Sequence, residues 1–371
     1  MPLSIFADAL PYDAAALQAL LPKEMQRAPL VPNVGYSACL HRQLYDDCYP
    51  DDTGVLVDWV HQREECRAVR LACALLRPLD LVPPLGTAVR KVLDRLLGRG
   101  VFANVPFRYR ARLCMRGRYV FRERRLYGAL PLLRGYRVIS QDDGARSFSD
   151  ALHELTCAVE AGERDLFFVT GVFDVIGHGC ARGEEYERRI TPPLQALCSV
   201  IARYRQLHPD EEVLLLSDHG MSTVRHKVKL SLRGVLTRKQ RRACMVYTDS
   251  CMALVFCRDE AILSRVRDYL DTLPEGHRLD ETERAHYRVS DRALGDEIFI
   301  LRQGYVFADS WFGCSWRRHP NGQGVHGFYP EKDSRDALAC VLLLSERHRL
   351  RECYDYKEAH ALLQMIMQGE R

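Results

Sequence analysis

Two short apolar runs, each preceded by a helix-length segment, constrain the fold of this chain more than any other feature. The runs lie at 166–170 and 213–216, and their apolar residues are continuous rather than alternating. A continuous run indicates a strand that is buried on both faces, as in a mostly parallel sheet covered by helices. The segments 148–161 and 183–207, which precede the two runs, are predicted to be helices. The pattern therefore predicts an α/β fold.

Further elements follow from the same patterns. The first apolar run predicts a short buried strand that ends at Asp8, and the last one predicts a strand over 339–344. Other strands are expected at 253–256 and 297–301. Helices are expected at 13–22, 55–76, 87–97 and 357–368, with prolines ending the second of these.

Composition places the chain among ordinary globular proteins. Of 371 residues, 47% are hydrophobic and 27% charged, and no apolar stretch is as long as a membrane-spanning helix. The first residues lack the basic and apolar regions of a signal peptide, and the 14 cysteines form no CxxC pair. We therefore expect free thiols and a cytoplasmic location.

Acidic residues and histidines follow the apolar runs or lie in a late glycine-bearing turn. In open α/β sheets ligands bind at the carboxyl ends of the strands. A single Asp-His pair after a strand is usually a helix cap or a hydrogen-bonded turn, but a set of six at these places indicates a site for two metal ions, because carboxylate and imidazole suit Zn²⁺ or a similar ion. The candidate ligands are Asp8, Asp174, His178, Asp218, His219 and His326.

Four motifs together resemble a known family. They are Ser217-Asp218-His219-Gly220-Met221, Asp174-x-x-Gly-His178, His326-Gly327 and Asp8 on the first strand. The chain resembles the alkaline phosphatase superfamily, and within it the type I phosphodiesterase and nucleotide pyrophosphatase branch. The resemblance implies a three-layer α/β/α sandwich with a mostly parallel central sheet and an inserted cap. We expect the core at 1–54 and 147–371, and an Arg-rich helical cap at 55–146.

The resemblance also implies the roles of individual residues. The branch has a Thr or Ser nucleophile about a dozen residues before a Tyr-Pro pair, and counting back from Tyr49 leads to Ser37, which would begin a helix. His41, one helical turn later, lies either near the phosphate as a substrate-binding residue or on the helix surface. One metal would take Asp8, Asp218, His219 and the Ser37 oxygen, and the other would take Asp174, His178 and His326.

The implied function is hydrolysis of a phosphate ester or nucleotide-like substrate by a phosphodiesterase or nucleotide pyrophosphatase. Its cofactors would be two divalent ions, Zn²⁺ by default, with Mn²⁺ compatible. Two alternatives stay open. One is a phosphoryl or phospho-alcohol transferase that acts on a glycan or lipid-linked acceptor. The other is a non-catalytic binding protein of the same fold.

The segment 101–146 holds eleven arginines with aromatic residues between them. The arginines and aromatic residues of the cap would bind additional phosphates and stack a base or sugar, or form a solvated basic face. A third alternative is that the cap docks on an anionic membrane, because its predicted helix 87–97 is amphipathic and basic. A further similarity, to bacterial enzymes that accompany glycan-building enzymes, adds that machinery as a partner. The net charge of +4 alone gives no reason to expect a nucleic-acid partner.

Overall fold

The computed structural model describes residues 2–57, 60–61, 67–96, 105–110, 113–114, 130–141, 146–308, 324–330 and 335–368. Contacts divide the chain into two compact units. Unit 1 comprises Met1–Tyr49, Arg118–Val224 and Gly322–Arg371, and unit 2 comprises Pro50–Gly117 and Arg225–Asn321. The predicted cap overlaps unit 2 over 55–117, whereas 225–321 also falls in unit 2. The functional division into a core and a cap stays a prediction.

Strands and helices are numbered in chain order. The strands are β1 Leu3–Ala7, β2 Gln26–Leu30, β3 Val60–His61, β4 Leu113–Cys114, β5 Arg137–Ser140, β6 Leu166–Thr170, β7 Val213–Leu216, β8 Ser222–Thr223, β9 His226–Val228, β10 Cys244–Asp249, β11 Met252–Cys257, β12 Gly276–Arg278, β13 Glu297–Leu301, β14 Tyr305–Phe307, β15 Gly324–Val325 and β16 Ala339–Leu344. The helices are α1 Ala15–Leu20, α2 Ser37–Asp46, α3 Pro50–Thr53, α4 Arg67–Leu76, α5 Pro83–Leu96, α6 Phe107–Arg110, α7 Phe148–Glu160, α8 Val172–Gly179, α9 Glu184–Leu207, α10 Arg238–Ala243, α11 Glu260–Asp271, α12 Glu281–His286 and α13 Tyr356–Gln368.

Unit 1 is built around a six-stranded sheet in the order β2-β16-β7-β1-β6-β5. The strands β7, β1, β6 and β5 run parallel, and β16 lies antiparallel to both of its neighbours. In the register, Ser4 of β1 lies opposite Phe167 of β6 and Leu214 of β7. The predicted mostly parallel sheet is therefore confirmed.

Helices cover both faces of this sheet. Leu3, Ile5 and Ala7 of β1 belong to a core shared with residues of α1, α7, α8 and α9. Phe6, which points to the opposite face, contacts the rings of His41 and Tyr45 on α2 at centroid distances of 4.3 and 5.8 Å. Every residue of β1 is buried, as expected for a strand between two helical layers. The unit thus has the predicted three layers.

Unit 2 contains a four-stranded antiparallel sheet in the order β10-β11-β13-β12. The helix predicted over 55–76 is wrong in its first half, because Val60–His61 is a strand that pairs with Leu113–Cys114. That partner is remote in sequence, so local periodicity could not indicate it. Most of the Arg-rich segment lies outside the described residues. Among the helices that are described, none is long and apolar enough to cross a membrane.

Candidate metal centre

Asp8 lies directly after β1, at the carboxyl end of the central sheet. Its backbone N–H donates to the carbonyl of Thr170, at the end of the neighbouring strand β6. The next residue, Ala9, has a left-handed backbone with φ of 61°. This turn aims the Ala9 N–H at Asp218 Oδ1, which accepts it at 3.3 Å. The end of β1 therefore supplies one carboxylate and orients a second.

Asp218 and His219 follow β7, the other parallel neighbour of β1, and both are buried. The His219 Nδ1 atom lies 2.9 Å from the carbonyl of Gly220 and can only donate to it. This hydrogen bond places the proton on Nδ1 and leaves the lone pair of Nε2 facing the site. That Nε2 lies 3.5 Å from Asp8 Oδ1 and 3.3 Å from Asp218 Oδ2.

Asp174 and His178 lie on α8, which begins two residues after β6. Their spacing of four residues places them on one face of the helix, with His178 Nε2 3.3 Å from Asp174 Oδ1. His178 Nδ1 lies 3.1 Å from the carbonyl oxygen of Gly324. Because a carbonyl oxygen can only accept a hydrogen bond, the proton of His178 lies on Nδ1. The lone pair of its Nε2 therefore faces the Asp174 carboxylate.

His326 reaches the site through a short ribbon in which β15 pairs antiparallel with β8. Its ring stacks on that of His219, and its Nε2 lies 3.7 Å from Asp174 Oδ1. The ribbon therefore brings His326, which comes late in the chain, between the Asp218-His219 pair and the Asp174-His178 pair.

Glycine allows these motifs to pack closely. A Cβ atom on Gly177 would lie 2.7 Å from Met221 Cγ, and one on Gly324 would overlap with the Gly177 carbonyl oxygen. The glycine of the Asp-x-x-Gly-His element and the methionine of the Ser-Asp-His-Gly-Met element thus pack against each other. Their spacing in sequence gave no sign of this contact.

Ser37 is the first residue of α2, as predicted. Its Oγ atom lies 3.1 Å from His219 Nε2, so the hydroxyl belongs to the same cluster as the Asp and His side chains. The helix spans ten residues, and its N-terminal end carries the positive potential of the aligned peptide dipoles. The hydroxyl therefore stands where an anionic group is stabilised.

His41 is not a helix-surface residue, and that alternative is wrong. Its side chain is 2% exposed, and its Nε2 lies 3.5 Å from Asp218 Oδ2. The Asp218 backbone carbonyl also accepts a hydrogen bond from the Tyr356 hydroxyl. His41 therefore lies beside the Asp218 carboxylate, and its part in substrate binding stays a prediction. No sequence motif indicated Tyr356.

Burial and neighbouring charges shift the pKa values of Asp218 and His326. Burial opposes ionisation of Asp218, but His219 and the hydrogen bond from His41 outweigh it and hold the pKa of that carboxyl well below its usual value. Burial, followed by the neighbouring rings of His219 and His178, lowers the pKa of His326 well below its ordinary value. The cluster thus presents an ionised carboxylate and a neutral imidazole, the forms that bind metals.

The ligand atoms form two overlapping groups. Atoms of Asp8, Asp218 and His219 lie within 4.8 Å of one another, and so do atoms of Asp174, His219 and His326. All six predicted ligands and Ser37 are therefore brought together. The difference from the predicted sets is that His219 belongs to both groups, whereas His178 stands beside Asp174 outside the second group.

The donor set fits divalent cations. Within the described part of the chain, the ion-pair partners of Asp174 and Asp218 are histidines, and no Lys or Arg neutralises them. The Oδ1 atom of Asp174 is shielded from solvent and accepts no hydrogen bond from a described residue. The buried carboxylate of Asp218 and the shielded oxygen of Asp174 are costly unless a cation compensates them.

Comparison with known proteins identifies the fold. Neither a family model nor a curated protein sequence matches the chain. Murine ectonucleotide pyrophosphatase/phosphodiesterase 5 superimposes with a TM-score of 0.63 at 10% identity, covering 99% of this chain and 95% of that one. An inactive form of the murine protein in complex with AMP gives 0.62 at 10% identity, with 99% and 94% covered. The human counterpart gives 0.62, also at 10% identity, with 99% and 95% covered. The alkaline-phosphatase-like fold is therefore confirmed.

Proposed function

From this shared fold, we propose that the chain is a metal-dependent phosphodiesterase or nucleotide pyrophosphatase with Ser37 as its nucleophile. The observation that carries the proposal is the distance of 3.1 Å between Ser37 Oγ and His219 Nε2. A hydroxyl held against an imidazole of the ligand cluster, at a helix start, is placed for nucleophilic attack on phosphorus.

Asp8, Asp218 and His219 would hold one ion, and Asp174 and His326, with His178 beside them, the other. Zn²⁺ suits this donor set best, and Mn²⁺ is compatible with it. Two such ions would supply Lewis acidity that lowers the pKa of the serine hydroxyl and neutralises charge on the phosphate.

The residues of the chain carry out the remaining steps. The N-terminal end of α2 attracts the phosphate to Ser37. The Ser37 oxygen forms a bond to phosphorus as its proton passes to solvent, while the bond to the leaving oxygen breaks and that oxygen takes a proton from solvent. The intermediate is a phosphodiester of Ser37. A water oxygen then bonds to phosphorus as the bond to the serine oxygen breaks, which releases a phosphate monoester and restores the Ser37 hydroxyl.

Support for a nucleotide-like substrate comes from the murine structure in complex with AMP. A transferase on the same centre would use a sugar hydroxyl in place of water, and the test below separates the two reactions. The expected link to glycan-building enzymes and the cytoplasmic location stay predictions.

The test compares bis-p-nitrophenyl phosphate with p-nitrophenyl phosphate in the presence of Zn²⁺ or Mn²⁺. We expect faster cleavage of the diester, and a loss of at least about a thousandfold in Ser37→Ala. The matched control is Ser199→Ala, since Ser199 is an exposed serine on α9 and its loss should leave the rate unchanged. Wild-type turnover in Ser37→Ala would overturn the proposal. Bound metal without cleavage of either ester would favour transfer to a specific acceptor.

As a second proposal, we infer peripheral contact with an anionic membrane through the segment 67–92 of unit 2. Apolar side chains on this segment are exposed. Arg67, Arg70 and Arg77 on the same segment are exposed and complement anionic lipid. We expect cosedimentation with phosphatidylserine vesicles and not with phosphatidylcholine vesicles, lost in Leu81→Asp/Leu85→Asp. Equal recovery of that variant and the wild type would contradict it. The exposed apolar residues are Leu71, Leu75, Leu81, Val82, Leu85 and Val92.

A further inference from the structure

Unit 2 contains a large cavity whose lining is strongly basic. Its volume is about 1490 Å³, and all of its lining residues belong to unit 2. It is called the basic cavity below. Apart from Arg90, its cationic lining residues are Arg77, Lys229, Arg233, Arg238, Arg241 and Arg242.

Described residues balance little of the positive charge of the basic cavity. Among the described residues that line it, the acidic one is Asp80, and Asp80 is already paired with Arg90 at 2.8 Å. Asp80 also accepts a hydrogen bond from the Phe107 N–H. None of the six other cations forms an ion pair with a described residue. Like charges gathered in a concave site repel one another and attract anions from solution.

Parts of the lining are fixed in position. Arg241 donates from Nη1 to the Leu236 carbonyl at 2.6 Å, which anchors its guanidinium. A capping box between Thr237 and Gln240 fixes the start of α10. Arg238 and Arg242, four residues apart on α10, therefore lie on the same helical face. A partly ordered set of guanidinium groups loses less entropy when it binds a ligand.

We propose that the basic cavity binds a ligand that carries several phosphate groups in one molecule. The planar guanidinium matches phosphate oxygens with two parallel hydrogen bonds, and several cations gathered in one site favour an anion of high charge. The cavity is larger than the pockets that hold ordinary small ligands, so an extended oligophosphate fits it better than a single phosphate. Ligands that carry several phosphate groups are found free in solution, as polyphosphate, or as lipid headgroups, as in phosphoinositides.

The site differs from the Ser37 centre in its residues and in its unit, so the two proposals fail independently. The test therefore uses the full chain, and variants of the basic cavity that leave the metal centre unchanged separate binding at the two sites. One arm titrates sodium tripolyphosphate by calorimetry. The other measures binding to phosphatidylcholine vesicles with and without a bisphosphorylated phosphoinositide.

The variant Arg238→Glu/Arg242→Glu reverses two charges that are exposed on α10, and Arg258→Glu is the matched control. Arg258 is exposed in the same unit, outside the cavity lining. We expect the double variant to lose affinity by about tenfold or more, and the control to match the wild type. Added salt should weaken binding by the wild type. If circular dichroism shows that the double variant unfolds, Arg238→Gln/Arg242→Gln replaces it.

Loss of tripolyphosphate binding in the double variant supports the proposal with a free ligand. Loss of phosphoinositide-vesicle binding alone supports it with a lipid headgroup. The proposal is overturned if the wild type binds neither probe, or if the double variant binds both probes as tightly as the wild type. It is also overturned if Arg258→Glu loses as much affinity as the cavity variant.

Discussion

The imidazole rings of His219 and His326 stack face to face, with centroids 3.7 Å apart and planes 6° from parallel. A positive charge on His219 would oppose protonation of His326 at this distance, and this repulsion adds to the effect of burial in lowering the pKa of His326. The two residues come from different motifs, and each belongs to a group that also contains a carboxylate. The stacked pair therefore joins the two halves of the candidate metal centre.

The stability of the metal-free protein should fall as the solution is acidified from pH 7 to pH 5. Burial and the neighbouring histidines lower the pKa of His326, so the unfolded chain binds a proton there before the folded chain does. This contribution to stability is present above the unfolded pKa of about 6.5 and is lost as pH falls below it, by up to about 1.4 kcal/mol per pH unit. Urea unfolding at several pH values measures the slope.

Replacement of the His326 ring measures its share of the pH dependence of stability. His326→Gln should flatten the slope between pH 7 and pH 5, whereas His153→Gln, which removes an exposed histidine on α7, should leave it unchanged. An unaltered slope in His326→Gln would show that His326 does not titrate differently in the folded state.

His41 should control metal binding without being a ligand. Its Nε2 lies 3.5 Å from Asp218 Oδ2 and orients that carboxylate. His41→Leu should weaken the affinity for the first ion by about 10- to 100-fold, the usual effect of losing a partner behind a ligand. His41→Gln places an amide donor near the position of Nε2 and should recover much of the affinity. Competition with a chromophoric chelator measures both. Equal weakening in the two variants would indicate a packing role instead.

Gly177 should tolerate no side chain. A Cβ atom there would lie 2.7 Å from Met221 Cγ, whereas a Cβ on Gly179 in the same helix would meet Arg189 Nη1 at an ordinary 3.9 Å. Gly177→Ala should therefore destabilise the protein by about 1–3 kcal/mol and reduce metal retention. Gly179→Ala serves as the matched control in thermal unfolding. Equal melting temperatures for the two variants would contradict this account of the packing.

The sequence predicts the central sheet well, because strands buried on both faces are continuous apolar runs that few other structures produce. The runs that became β6 and β7 lie opposite β1 on its two sides, and this topology brings Asp8 and Asp218 to the same edge. The helix start at Ser37 was also predicted, since the resemblance placed the nucleophile there.

Long-range contacts explain what the sequence does not predict. Some contacts of the site join residues that meet only in the folded chain. They include the hydrogen bonds that Asp218 accepts from the Ala9 N–H and from the Tyr356 hydroxyl, and the packing that buries His41. The sharing of His219 between two ligand groups likewise depends on the ribbon that carries His326. Local periodicity carries no information about such contacts.

The number of ions held per chain tests the central claim most directly. The protein is reconstituted with excess Zn²⁺, desalted and analysed by native mass spectrometry, beside Asp8→Ala and Asp174→Ala. We predict two ions for the wild type and one for each variant, because each substitution removes a carboxylate from a different group. A wild-type chain that retains no ion, or variants that both retain two, would contradict the two-metal account.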